Sequence, residues 1–126
     1  MAKENEVGAY ALRKILGAVL KQRREQLGLS QTAVATHAEM PWVASIGQIE
    51  SGKVAMASRH IFAMAEILQI DSRRLAEAWM YYYAPGAYLA VYGEDPYETE
   101  GISRPDPTAY AAPGRPPSSR ARNRWW

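Results

Sequence analysis

Small and amide-bearing side chains cluster in the segment 41–50, which reads PWVASIGQIE. If its apolar residues Val43, Ile46 and Ile49 face a core, an uncharged set lies outward or at the flank: Trp42, Ala44, Ser45 and Gln48. A glutamine can make two hydrogen bonds to adenine, and the carbons of serine and alanine can approach the methyl group of thymine. The chemistry predicted for this segment is recognition of DNA bases.

The rest of the chain offers no group of residues suited to catalysis or metal binding. It has no cysteine and only two histidines, His37 and His60, so disulfides and thiolate metal sites are excluded. No nucleophile stands with a recognisable base, and no glycine-rich phosphate loop is present. The sequence therefore predicts a protein that is not an enzyme and needs neither a metal nor a cofactor.

Length and charge limit the remaining classes of protein. A chain of 126 residues with a formal net charge of +2 allows one modest domain with extensions. Affinity for DNA must then depend on where the basic residues lie. No apolar run approaches the ~20 residues of a membrane span, and the N-terminal MAKENEVGAY is too polar for a secretory signal. We expect a soluble cytoplasmic protein without a membrane partner.

Two short helices around a tight turn are predicted from Gly28 to Lys53. Gly28 suits the end of a first helix over 8–27, and Ser30 suits the cap of the second. After a break at 39–41, the third helix is expected to begin at Pro41, which lacks the N–H that a first position leaves unpaired. The small Ala35 permits close approach of the two helices. This arrangement predicts a helix-turn-helix.

Basic residues at the end of the first helix are candidates for contact with DNA phosphates. Lys21 and Arg23 lie one turn before the helix-turn-helix, beside Arg24. The alternative is that these charges only form a solvated helix face. Residues 1–7 are expected to be a flexible N-terminus, so that the DNA-binding domain spans 8–83.

Two further helices complete the predicted domain, one capped by Ser58 and one by Asp71 or Ser72. After Tyr83 come seven of the eight prolines, so regular helix is not expected there. In the extension 84–100, residues 87–92 are interpreted as a short strand. An exposed aromatic cluster is the candidate dimer surface: Trp79, Tyr82, Tyr83, Tyr88 and Tyr92. The alternative is that 87–92 folds back onto its own domain, and 101–126 is predicted to be a disordered basic tail.

The segment from Leu16 to Leu75 resembles the five-helix DNA-binding domain of the phage-repressor and Cro-like transcription regulators, the XRE family. The matching pieces are Gly28-Leu29-Ser30-Gln31, Val34-Ala35 and Ile49-Glu50-Ser51-Gly52-Lys53, with Leu20 and Arg24 before them and Ala65, Leu68 and Ile70 after them. The resemblance implies an all-α fold and a bacterial or phage origin, with the protein at the nucleoid.

The resemblance also implies roles for individual residues. Gln31 is expected to hold a phosphate or brace the third helix, and Arg24 to pair with Glu50. Ser51, Gly52 and Lys53 match the loop that meets the DNA backbone. The full set of DNA-binding candidates is Gln31, Thr32, Trp42, Ala44, Ser45, Gln48, Ser51 and Lys53.

The chain departs from the family pattern in the turn. Glu39 stands where the family usually has glycine, and Pro41 and Trp42 replace small polar residues. Between Ala35 and Glu50 the chain has one residue more than usual.

These observations predict a sequence-specific DNA-binding transcriptional regulator. We expect a repressor that binds a palindromic operator as a homodimer, because two-fold related helices read two half-sites. The alternative is an antitoxin-like or partner-regulated DNA-binding protein whose residues 84–126 dock on another protein.

Overall fold

A computed structural model of the chain describes residues 2–96 and 106–110. Over these residues it contains six α-helices, two short 3-10 turns and no strand, which confirms the predicted all-α class. The helices are α1 (Ala2–Gln26), α2 (Gln31–His37), α3 (Ala44–Ser51), α4 (Ile61–Ile67), α5 (Ser72–Tyr83) and α6 (Pro85–Tyr92). The 3-10 turns are Ser58–His60, just before α4, and Pro107–Tyr110.

Helix α1 forms the centre of the fold, packing against both α3 and α5. Its residues Leu12, Leu16 and Leu20 recur at four-residue spacing and are buried, as the apolar periodicity predicts. They join one core with the inward faces of the other helices, in which Leu75 of α5 is fully buried. One continuous core therefore holds α2 and α3 in a fixed relation to α1.

The N-terminal boundary of α1 differs from the prediction, because the helix begins at Ala2 and not near Gly8. Residues 2–7 include good helix formers and no proline, so the backbone hydrogen bonds of the apolar segment propagate toward the N-terminus.

Caps set the start of two other helices. The Ser30 hydroxyl accepts a hydrogen bond from the Ala33 N–H at 3.0 Å, as predicted for α2. Of the two candidates for α5, Asp71 is the cap, and it accepts from the Arg73 N–H at 3.1 Å. The predicted cap Ser58 is wrong, because Ser58 opens a 3-10 turn and α4 begins only at Ile61.

The predicted strand at 87–92 is wrong, because this segment lies in α6. Pro85 occupies the first turn of the helix, and Gly93 ends it in a left-handed conformation with φ of 75°. The ring of Tyr88 packs edge-on against Tyr81 at 4.9 Å between centroids. The periodicity of a short apolar run does not distinguish a helix from a strand, so the packing of the segment on α5 decides which of the two forms.

Part of the C-terminal extension packs on the domain. Pro96 and Pro107 are buried, and the turn Pro107–Tyr110 contacts α5. Asp106 stabilises this turn by accepting from the Thr108 N–H at 2.9 Å. Over 106–110 the prediction of disorder is therefore wrong. The rest of the predicted tail, 101–105 and 111–126, lies outside the described residues, as do residues 97–100 of the extension.

Within the described portion, none of the helices combines the length and the apolar character needed to cross a bilayer.

Candidate nucleic-acid interface

The turn between α2 and α3 is longer than the sequence suggested, and α3 begins at Ala44, three residues after Pro41. The Ser45 N–H donates to the Trp42 carbonyl and the Ile46 N–H to the Val43 carbonyl, both at 3.0 Å. The expectation that Pro41 opens the helix is wrong.

Glu39 adopts a left-handed backbone conformation, with φ of 56°. The family that this chain resembles usually has glycine at this position. For a residue with a side chain, the left-handed conformation costs roughly 1–2 kcal/mol. The next residue compensates locally, because Met40 is buried and its N–H donates to the Ala35 carbonyl at 2.9 Å. The turn is thus anchored to the core on one side and strained at Glu39.

A buried carboxylate links α1, α2 and α3. Glu50 of α3 accepts from Arg24 Nε at 2.7 Å, from Arg24 Nη2 at 3.2 Å and from Gln31 Nε2 at 3.0 Å. The hydrogen bond to Glu50 raises the pKa of Arg24 above its usual value, and Arg24 also donates to the Leu29 carbonyl at 2.8 Å. The structure contains the expected Arg24–Glu50 pair. Of the two expected roles of Gln31, it contains the brace to α3.

Of the two glycines where α3 meets α1 and α2, Gly17 is the one that leaves no room for a side chain. A Cβ added to Gly17 of α1 would lie 2.5 Å from the carbonyl oxygens of both Ile49 and Glu50. Gly47 of α3 faces the Gln31 amide, where an added Cβ would make ordinary contact at 3.6 Å. The importance of Gly17 was missed from the sequence, although a glycine inside a periodic apolar helix is a signal of close packing.

One side of α3 and the turn before it are exposed. Ile46 and Ile49 are buried, as predicted, while Ala44 and Gln48 are exposed and Ser45 is half-buried. Val43 was expected to face inward, but 42% of its surface is exposed, because it precedes α3 and Met40 occupies the interior position. The adjacent Trp42 is 71% exposed.

The loop after α3 is held in a defined conformation. Gly52 is left-handed with φ of 82°, and the Lys53 N–H donates to the Gln48 carbonyl at 2.9 Å, the six-to-one bond of a Schellman motif. Ser51 Oγ donates to the same carbonyl at 3.1 Å. The side chain of Lys53 is exposed beside this loop, and Thr32 is exposed in the first turn of α2.

The two candidate phosphate contacts of α1 differ in their surroundings. Arg23 Nε donates to the Leu68 carbonyl at 2.8 Å, and Arg23 Nη2 donates to the Gln69 carbonyl at 3.1 Å. Arg23 thus caps the C-terminal end of α4, which gives it a structural role, and its phosphate contact stays a prediction. Lys21 is exposed, and its spacing puts it on the stripe of α1 that carries Gly17 and Arg24.

The aromatic residues of α5 and α6 do not form the exposed cluster predicted from the sequence. Tyr82 and Tyr88 are buried, and Trp79 and Tyr83 are half-buried against the core. Trp79 Nε1 donates to the Met56 carbonyl at 2.7 Å. Among the five candidates, Tyr92 alone counts as exposed. The prediction failed because these rings pack on the core and on one another, as in the edge-on contact of Trp79 with Tyr83 at 6.0 Å between centroids.

No group of potential metal ligands lies together among the described residues. A protein-family model described as a helix-turn-helix domain matches residues 15–79. No curated protein and no solved structure matches the chain.

Proposed function

Since the chain belongs to the helix-turn-helix domain family, in its XRE-like class, and is a DNA-binding regulator on that ground, we propose that it represses transcription by binding a palindromic operator as a homodimer. Domains of this family are typically not enzymes. A protein of this kind works at the nucleoid in the cytoplasm and needs no cofactor.

The observation that carries this proposal is the division of α3 into two faces. Ile46 and Ile49 anchor the helix in the core, whereas Gln48 projects from the exposed side. The contacts of Glu50 with Arg24 and Gln31 hold this face rigidly against α1 and α2. A rigid, uncharged face with an amide is suited to the major groove, where a glutamine can bond to both N6 and N7 of adenine.

Phosphate contacts are assigned to residues around the same face. Thr32 at the start of α2 and Lys53 after α3 are exposed, and Lys21 extends this edge along α1. Such contacts fix the position of a protein on the duplex without reading its sequence. Ser51 and Lys53 would then set the depth at which Ala44, Ser45 and Gln48 enter the groove.

The dimer contact is assigned to the exposed surface of α6. Leu89, Val91 and Tyr92 are all more than 40% exposed, and α6 has no charged residue. A two-fold contact brings the same patch of both copies together, so an uncharged patch avoids repulsion between like charges. Arg73 and Glu77, which lie near Tyr92, supply both signs of charge at its edge.

The proposal is tested by selecting bound sequences from random duplex DNA with the full chain. We expect a palindrome whose half-sites are about 10 base pairs apart, or a multiple of this spacing. Gln48→Ala should weaken specific binding by about 1–3 kcal/mol and relax one position. The control is Gln22→Ala, which removes an exposed amide from α1. Equal loss on operator and random DNA would refute the base-reading role of Gln48.

Lys53→Ala separates phosphate contact from base reading. It should weaken binding to all sequences alike and reduce the slope of affinity against salt by about one unit. An unchanged slope would remove Lys53 from the proposed interface.

The oligomeric state is tested by sedimentation of Val91→Asp in the absence of DNA. We expect this variant to be monomeric and Val54→Asp, which changes an exposed valine outside α6, to remain dimeric. A wild-type chain that stays monomeric at every concentration would favour the partner-regulated alternative instead.

A further inference from the structure

The turn before α3 presents an apolar pair for which the fold offers no cover. Among the large hydrophobic side chains of the described residues, Trp42 has the highest exposed fraction, 71%, and the adjacent Val43 is 42% exposed. Exposed apolar residues that stand singly are ordinary. An exposed tryptophan next to an exposed valine, at the start of the candidate base-reading helix, indicates a binding surface.

Backbone hydrogen bonds hold these two residues at the start of α3, outside the core position. The carbonyls of Trp42 and Val43 accept from Ser45 and Ile46, so both residues are fixed to the first turn of α3. Met40 occupies the position that faces the core, and only 9% of its surface is exposed. The exposure of Trp42 and Val43 is therefore built into the geometry of the turn.

The chemistry of the surrounding face identifies what the pair can bind. No charged residue occurs from Met40 to Ile49, so this stretch supplies no cationic side chain to attract phosphate. Ala44, which follows the pair directly in the chain, and Gln48, one turn later in α3, are exposed as well. The apolar group that base pairs present in the major groove is the C5-methyl group of thymine.

We propose that Trp42 and Val43 select thymine in each half-site by burying its C5-methyl group. This inference rests on the proposed function and specifies which feature of the operator the turn reads.

The experiment compares thymine with uracil, which pairs with adenine in the same way and lacks only the methyl group. After selection of the operator, each half-site thymine is replaced by deoxyuridine, and affinity for the full chain is measured by fluorescence anisotropy. At one or two positions we expect binding to weaken by about fourfold for each methyl group lost from an apolar contact.

Variants of the pair identify the residues responsible. For Trp42→Ala and Val43→Ala we expect weaker operator binding and a reduced difference between thymine and uracil at those positions. Val54→Ala, which shortens an exposed valine outside this face, should keep the full difference. Thermal melting monitors folding, and we expect little change because both side chains are exposed.

The outcomes separate the inference from the function on which it rests. If selection yields no preferred sequence, both fail. If an operator is found but its half-sites need no thymine, or uracil binds as tightly as thymine, the inference alone is overturned. Full discrimination by both Trp42→Ala and Val43→Ala would overturn it as well.

Discussion

The contact between Gly17 and the end of α3 predicts a large effect for a very small substitution. In Gly17→Ala, the new Cβ would meet the Ile49 and Glu50 carbonyl oxygens at 2.5 Å, whereas ordinary contact begins at 3.4 Å. These are backbone atoms, so no side-chain rotation can relieve the clash and α3 must move by most of an ångström.

The size of this effect is the difference between two opposing contributions. Alanine in the interior of a helix gains about 1 kcal/mol over glycine. Overpacking a close interface typically costs about 1–3 kcal/mol, occasionally more. At this distance from two backbone oxygens we expect the cost to exceed the gain, with a net loss of roughly 1–2 kcal/mol in the free energy of unfolding.

Urea denaturation followed by circular dichroism measures this loss. Gly86→Ala is the matched control, because a Cβ at Gly86 of α6 would meet nothing within 4 Å. This control should be neutral or slightly stabilising. Operator affinity of the folded Gly17→Ala protein should also fall, because displacement of α3 alters the base-reading face. If Gly17→Ala is as stable as Gly86→Ala, the close crossing of α1 and α3 is not present in solution.

Three further substitutions test other features of the fold. Glu50→Gln leaves Arg24 without its charged partner and should lower the free energy of unfolding by about 3 kcal/mol in urea denaturation. The control Glu66→Gln, which alters an exposed pair with His37, should change this free energy by less than about 1 kcal/mol. Equal effects of the two substitutions would contradict the role of burial. Glu39→Gly should raise the melting temperature by relieving about 1 kcal/mol of backbone strain, whereas Glu39→Ala, which keeps a Cβ, should not. Stabilisation by both substitutions would show that the negative charge of Glu39, and not its backbone conformation, is unfavourable. Burial raises the pKa of Tyr83 to about 12, against smaller opposing effects of the Met56 backbone and Arg13. Because this tyrosine ionises earlier in the unfolded chain, its contribution to stability is complete below about pH 10 and is lost as the pH rises through about 12, by roughly 2–3 kcal/mol. Tyr83→Phe should reduce this alkaline loss in denaturation curves recorded against pH, and an unchanged loss would contradict the burial of the hydroxyl.

Local features of the sequence determined much of the helix-turn-helix. Ser30 was predicted as the cap of α2, and Ile46 and Ile49 were predicted to face the core from α3. These predictions were confirmed because caps and helix faces depend on residues only a few positions apart. The Arg24–Glu50 pair came from the family pattern, and the structure contains it.

Only the tertiary structure decided how distant parts of the chain meet. Arg23 caps α4 from 45 residues away, and the apolar run 87–92 became a helix because Tyr88 packs on α5. The tyrosines near α5 turned inward for the same reason, which moved the candidate dimer surface to Leu89, Val91 and Tyr92. Contacts between distant residues leave no periodic pattern in the sequence, since their energy exists only once the core has formed.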